Sequence, residues 1–221
     1  HLRRFYRSAK KIDIDIPMPF EELRAMVLDF CRRIDSPDAM AYVQATRGVG
    51  MRGHAYRFAG GTPSLWVWVK PDMLDPMDKS YKCITMEDTR YLHCDIKTIN
   101  LLPAVIYTQR AEEAGCDETI LHRGERVTEC AHSNVHILKD GVFKTAPCDN
   151  LILPGITRAH RIAQCREMGI PVVEEPFTLE EMMNADEVFF TSASALCCRI
   201  EEIDGKKVGG RDAELIARIQ K

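Results

Sequence analysis

The chain has 221 residues, 45% hydrophobic and 29% charged, with a formal net charge of −3. That suffices for one large domain or two small ones, and the near-neutral balance gives no reason to expect a nucleic-acid or membrane partner. Its apolar runs fall far short of a membrane span, and no signal-peptide pattern opens the chain.

Residues 2–12 suit a helix, with Leu2, Phe5, Ala9 and Ile12 on one side and Arg3, Arg4 and Arg7 adding positive charge. Pro17 and Pro19 break that pattern. Residues 20–34 form a stronger helix, with Phe20, Leu23, Val27, Phe30 and Ile34 at helical spacing and Glu21 and Glu22 in the first turn. Residues 39–46 read as a strand, followed by a glycine-punctuated loop from Arg47 to His54. Residues 64–70 alternate as a second strand. Pro71 to Pro76 is read as a linker, dividing a small domain over 1–70 from a larger one over 77–221.

The second half alternates strands and helices. Strands are expected over 80–86, 117–122, 126–130, 133–139, 142–146, 171–175, 186–192, 198–203 and 206–208. Asp140-Gly141 and Asp204-Gly205 supply hairpin turns. Helices are expected over 98–114, 157–168 and 179–184, with a last one from about Asp212. The first of these ends at Gly115 and must keep Pro103 near its first turn. The cysteine count is nine, odd and irregularly spaced, with no CxxC pair, which reads as reduced thiols in a cytoplasmic protein. The chain starts at His1 within a helical pattern and reads as a segment of something longer.

Four stretches carry chemistry. Lys97 lies between Ile96 and the apolar Ile99, Leu101 and Leu102; a lysine that loses solvation becomes a neutral amine able to attack a carbonyl. Glu129 ends a strand in apolar surroundings and could pair with a buried cation such as a protonated ring nitrogen. Leu153-Pro154-Gly155-Ile156-Thr157-Arg158 is a turn that opens a helix, whose first N–H groups can bind phosphate. Arg52 and His54 offer donors suited to a carboxylate. Taken singly, each is better read as an ordinary loop lysine, a solvated glutamate, a capped helix or a basic surface loop. Cys130, His132 and His136 lack a fourth ligand at a zinc-like spacing, so no metal is expected. Nucleophile-elbow and P-loop motifs are absent from the sequence, and no dinucleotide-binding fold is expected.

Together these stretches resemble one family in order and spacing over nearly the whole chain. The pieces are His1-Leu2-Arg3-Arg4, Thr46-Arg47-Gly48 with Arg52 and His54, Arg90 through Lys97, Val127-Thr128-Glu129 with Ser133-Asn134-Val135, Leu153 through Arg158, and Phe190-Thr191-Ser192. They are similar to the fold-type IV pyridoxal-phosphate enzymes, and within them to the D-amino acid aminotransferases. The resemblance implies a two-domain fold, mixed α+β and α/β, with a small domain incomplete at its N-terminus and a larger mixed-sheet domain that binds pyridoxal 5′-phosphate. It implies that Lys97 is the Schiff-base lysine and Glu129 the partner of the pyridine nitrogen. Arg4, the backbone of Ile156 and Thr157, and Ser192 would bind the phosphate, and Leu153 would pack on the ring. Arg52 and His54 would clamp the substrate carboxylate from a partner subunit, which implies a homodimer.

The implied reaction converts D-alanine and 2-oxoglutarate to pyruvate and D-glutamate. A branched-chain L-amino acid aminotransferase or an aminodeoxychorismate lyase could use the same lysine, glutamate and phosphate cup, and a non-catalytic fragment is a further alternative. Two departures stand out. The upstream strands of the small domain, with a carboxylate-binding tyrosine, have no counterpart here. Ala193 stands where a threonine is common, so one phosphate contact is lost or passes to Ser194.

Overall fold

A computed structural model describes residues 1–59 and 61–221. The chain forms two compact units, His1–Leu74 and Asp75–Lys221.

In the first unit, helices α1 (Leu2–Lys11) and α2 (Phe20–Arg32) precede strands β1 (Ala39–Thr46) and β2 (Ser64–Pro71). The strands pair antiparallel from Ala39 opposite Pro71 to Thr46 opposite Ser64. β2 shows the period of two that its sequence demands: Leu65 and Val67 are half-buried while Trp66 and Trp68 face out. α2 packs on the ladder through the fully buried Leu23. The loop after β1 turns at Gly48, whose φ is +102° and where an added Cβ would stand 2.7 Å from the Thr62 carbonyl oxygen, so only glycine fits. A short 3-10 helix, Tyr56–Phe58, lies in this loop and was not expected from the sequence.

The second unit holds a nine-stranded mixed sheet. Its strands are β3 (Ser80–Glu87), β4 (Glu118–Arg123), β5 (Arg126–Cys130), β6 (Asn134–Lys139), β7 (Val142–Thr145), β8 (Val172–Glu174), β9 (Glu187–Thr191), β10 (Cys198–Ile203) and β11 (Lys206–Lys207). The order is β5-β4-β3-β10-β9-β6-β7-β8, with β11 on β10. β5 and β6 stand five places apart, about 24 Å in a flat sheet at ~4.8 Å per strand. The short link from Cys130 to Asn134 can span at most about 15 Å. The sheet therefore curls until the end of β5 meets the start of β6, which places Glu129 and Asn134 side by side.

Neighbouring residues of β9 serve opposite faces. Val188 and Phe190 join the core that also holds Ile120, Val135, Ile137 and Ile200. Phe189 points the other way, to Leu138, Phe143, Ile162 and Ile216. A strand buried on both faces reads as a continuous apolar run, and each such phenylalanine contributes roughly 1.5–3 kcal/mol. Helices α3 (Leu102–Glu113), α4 (Ile156–Glu167), α5 (Leu179–Met183) and α6 (Ala213–Gln220) complete the unit.

α3 starts four residues later than the sequence suggested. A helix begun at 98 would set Pro103 in its interior, where the ring clashes with the carbonyl four residues back. Instead Pro103 falls in the first turn, and the Thr98 hydroxyl accepts the Asn100 N–H at 3.3 Å in a local turn that competes with helix. Among the described residues no helix is long and apolar enough to cross a membrane.

Candidate functional site

The curl of the sheet buries a carboxylate. Glu129 is 5% exposed and receives three donors. Arg90 Nη1 donates to Oε1 at 2.5 Å, while Asn134 Nδ2 at 2.9 Å and the Leu153 N–H at 3.0 Å donate to Oε2. Burial pushes the carboxyl up, to about 7, against the pull of Arg90 and the Leu153 N–H. All three partners bring hydrogens, so the carboxylate satisfies them and the acid would not.

Arg90 is shared. Its Nε and Nη2 form a fork on Asp88 at 2.9 Å each, and Nη2 also reaches the Leu151 carbonyl at 3.1 Å. Burial works against its charge, but the hydrogen bonds to Asp88 and the charge of Glu129 outweigh that and raise its pKa. Asp88 accepts further from Arg123 Nε at 3.2 Å and the Thr128 hydroxyl at 3.1 Å. Burial alone would raise Asp88; the two arginines hold it below its ordinary value. The sequence reading gave Arg90, Asp88 and Asn134 no role. Arg90 and Asn134 lay inside quoted motifs, but no local spacing links them to Glu129.

Asn134 joins this corner to the next. Its Nδ2 also donates to the Leu153 carbonyl at 3.0 Å, so both backbone groups of Leu153 are fixed and its half-buried side chain is held beside the carboxylate. A Cβ added at Gly155 would stand 2.0 Å from Asn134 Oδ1, which explains the glycine. Gly155 caps α4 with no side-chain hydrogen bond, so the first N–H groups of the helix, at Ile156 and Thr157, have no capping side chain. The Thr157 hydroxyl donates to the Ser192 carbonyl at 2.8 Å, tying the helix start to the end of β9. The Ser192 hydroxyl accepts the Ala195 N–H at 2.9 Å and lies 3.4 Å from the Ser194 hydroxyl. Glu129 is thus bonded to Leu153, and Thr157 to Ser192, within one unit.

Lys97 lies on the irregular segment between β3 and α3. That segment is anchored by the Cys94 N–H to the Asn150 carbonyl at 3.0 Å and by Tyr91 to Thr98 at 3.1 Å. Lys97 is exposed, and so are Ile99, Leu101 and Leu102, which matches the solvated loop lysine that the stretch by itself favours. Its charge acts on His132, in the β5–β6 connection beside Asn134.

In the first unit, Arg4 is buried on α1 whereas Arg3 and Arg7 are exposed. Arg52 and His54 are both exposed on the loop after β1. An open depression of about 360 Å³ there is lined by Arg47, Met51, His54 and Tyr56 among others, and Arg52 is not part of its wall. Arg47 braces the loop, donating to the Asp13 carbonyl at 2.8 Å and to the Ile12 carbonyl, with its guanidinium 3.5 Å from the Tyr56 ring centre.

Cys130, His132 and His136 form no cluster. His136 is fully buried between the Thr145 hydroxyl at 2.8 Å and the Thr191 hydroxyl at 2.9 Å, and His132 pairs with Glu118. Among the described residues no group of three or more histidine, cysteine or carboxylate side chains could hold a metal ion.

The second unit is thus a curled mixed sheet with a buried carboxylate joined through Asn134 and Leu153 to an uncapped helix start. The amino-transferase class IV family model matches residues 1–203, and the chain belongs to that family. It is 39% identical over 211 residues to a D-alanine aminotransferase of Staphylococcus haemolyticus, covering 95% of this chain and 75% of that one. It is 40% identical to a D-alanine aminotransferase of Listeria monocytogenes, covering 99% and 78%. Among solved structures, a branched-chain aminotransferase from Thermoproteus uzoniensis superposes with a TM-score of 0.87 at 28% identity, over 100% of this chain and 75% of that one.

Proposed function

We propose that this chain catalyses pyridoxal-phosphate-dependent transamination of D-amino acids, converting D-alanine and 2-oxoglutarate to pyruvate and D-glutamate. The observation that carries the reading is the likeness to D-alanine aminotransferases over nearly the whole chain. The residues also fit the cofactor. An aromatic phosphate ester with a basic ring nitrogen needs an anionic partner at one end and donors at the other. The Glu129 corner supplies the first, and the uncapped start of α4 with the Ser192 and Ser194 hydroxyls supplies the second.

Pyridoxal phosphate, when bound, supplies a carbonyl carbon that takes up the amino group and a conjugated ring that spreads the charge left at Cα. Lys97 would supply the amine that holds the cofactor, and its Nζ would carry the proton taken from the substrate Cα. Glu129 would pair with the ring nitrogen and favour its proton, and Arg90 fixes the Glu129 carboxyl in place. The N–H groups of Ile156 and Thr157 and the Ser192 hydroxyl would hold the phosphate, with Ser194 standing in for the hydroxyl missing at Ala193, and Arg4 would be its side-chain ligand. Leu153 would pack on the ring. Arg52 and His54 would clamp the substrate carboxylate, as part of a homodimer in the cytoplasm. The exposed apolar run Ile99, Leu101, Leu102 and Val105 supports such an assembly.

The test is to load the protein with pyridoxal phosphate and add D-alanine or L-leucine, each with 2-oxoglutarate. Pyruvate and D-glutamate should form with D-alanine. Turnover of L-leucine alone would replace this reading with that of a branched-chain enzyme.

A further inference from the structure

The proposed reaction leaves one buried carboxylate without a task. Asp88 directly follows β3, and its side chain is buried. Its Oδ1 accepts the Arg90 backbone N–H at 3.0 Å and Arg90 Nε at 2.9 Å. Its Oδ2 accepts Arg90 Nη2 at 2.9 Å, Arg123 Nε at 3.2 Å and the Thr128 hydroxyl at 3.1 Å. Arg123 also donates to the Arg90 carbonyl at 2.8 Å, so the backbone of Arg90 is held as well as its side chain.

A guanidinium is planar and offers its N–H groups along two fork-shaped edges. Both edges of Arg90 are spent. The Nε/Nη2 edge grips Asp88, and the Nη1/Nη2 edge is split between Glu129 Oε1 and the Leu151 carbonyl. Glu129 is therefore met by a single N–H. An ionised carboxylate oxygen accepts about two hydrogens. Among the described residues, Glu129 Oε2 accepts from both Asn134 and the Leu153 N–H, whereas Oε1 accepts from Arg90 alone. The acceptor capacity left on this carboxylate thus lies on Oε1. A guanidinium released by Asp88 would turn a whole fork onto Glu129, the other carboxylate it touches, and use that capacity up.

We propose that Asp88 is a positioning residue: by taking one fork of Arg90 it limits the guanidinium to a single N–H on Glu129, and so leaves Glu129 Oε1 able to accept the protonated ring nitrogen of the cofactor. Arg123 and Thr128 hold Asp88 in turn. The inference rests on Glu129 being the partner of that nitrogen.

The test compares two ligands on the whole chain freed of cofactor: pyridoxal phosphate, and its analogue with C–H in place of the ring nitrogen. Equilibrium dialysis gives both affinities without reference to activity. The two ligands carry the same aldehyde and phosphate, so the ratio of affinities isolates the bond at the ring nitrogen. Wild type should favour pyridoxal phosphate by about tenfold or more, the scale of one hydrogen bond to a charged group. Asp88→Asn should cut that preference to within about twofold, because the amide accepts one guanidinium N–H but presents N–H groups to the next and the fork opens. A buried brace with no positioning role would weaken both ligands alike and leave the ratio at its wild-type value, which would overturn the proposal.

Charge has to be separated from aim, since Asp88→Asn leaves two arginines against one carboxylate. Asp88→Asn combined with Arg123→Gln restores one cation to one anion, and it carries the same test should the single variant fail to fold. Its preference should stay within about twofold. A return to about tenfold would mean that charge and not the fork sets the preference, and overturns the proposal equally. A wild type that does not distinguish the two ligands removes Glu129 as the ring partner and the role of Asp88 with it. A wild type that distinguishes them, with variants that do so to the same degree, removes only the role of Asp88.

Discussion

Glu129 and Lys97 belong to the same unit but to opposite physical settings. Glu129 is buried, and its two oxygens are taken by a guanidinium, an amide and a backbone N–H. Lys97 is exposed on a segment without regular structure, and Ile99 and Leu101 beside it are 60% and 55% exposed. The contrast separates two needs of the proposed chemistry. A group that sets a fixed electrostatic field gains from being held by more bonds than it needs. A group that must release one carbon and then carry a proton has to move, and an anchored but loosely packed segment allows that.

The largest effect should come from the loose side of the comparison. Lys97→Ala removes an exposed side chain, so unfolding stability should stay within about 0.5 kcal/mol. Transamination should nevertheless fall by about 10³-fold or more, the scale of losing a placed acid–base group. Chemical denaturation and a coupled pyruvate assay on the same sample check both halves. A variant that keeps its activity would mean that another lysine does the work.

The fixed side should respond in the reverse manner. Arg90→Met leaves Asp88 and Glu129 buried without their shared cation, and breaking a buried pair by removing one partner costs about 3–5 kcal/mol. The remaining Glu129 carboxyl should then titrate above about 7, since burial is left less opposed. Urea denaturation gives the first quantity, and infrared difference spectra across pH give the second. A loss under about 1 kcal/mol would mean that water or a neighbouring chain replaces the guanidinium, and the contrast with Lys97 would weaken.

The same contrast explains what could be read from the sequence. β2 was legible because alternation over eight residues has one structural meaning, and α4 because Gly155 and the apolar spacing after it mark a helix start. The individual roles came from family resemblance, which carried Lys97, Glu129 and the Leu153–Thr157 turn into one site. Arg90 was not legible as the partner of Glu129: 39 positions separate them, and only the curl of the sheet brings them to 2.5 Å. The exposure of Lys97 agrees with the loop lysine that its own stretch favours. Ile99, Leu101 and Leu102 look like a core signal in sequence, yet Pro103 holds back the helix that would have turned them inward.

The smallest effect concerns a third buried group, His136, held between the Thr145 and Thr191 hydroxyls one residue before Ser192. Burial, and to a lesser degree Arg158, holds its pKa well below the ordinary 6.5, so the folded chain keeps the ring neutral. The unfolded chain takes up a proton below about pH 6.5, so this group's contribution is fully present above that pH and is lost as pH falls. The loss should approach about 1.4 kcal/mol per pH unit. Glu129 works in the other direction: its folded value near 7 lies above the ordinary 4.5, so its contribution declines as pH rises from 4.5 toward 7. The two slopes oppose each other between 4.5 and 6.5, and wild-type stability should be nearly flat there. His136→Gln keeps hydrogen-bonding capacity but cannot titrate, so its stability should rise on acidification across that window, by up to about 1.4 kcal/mol per pH unit relative to wild type. Urea midpoints at half-unit pH steps measure the difference, and parallel curves for the two proteins would mean that His136 is already charged in the folded state.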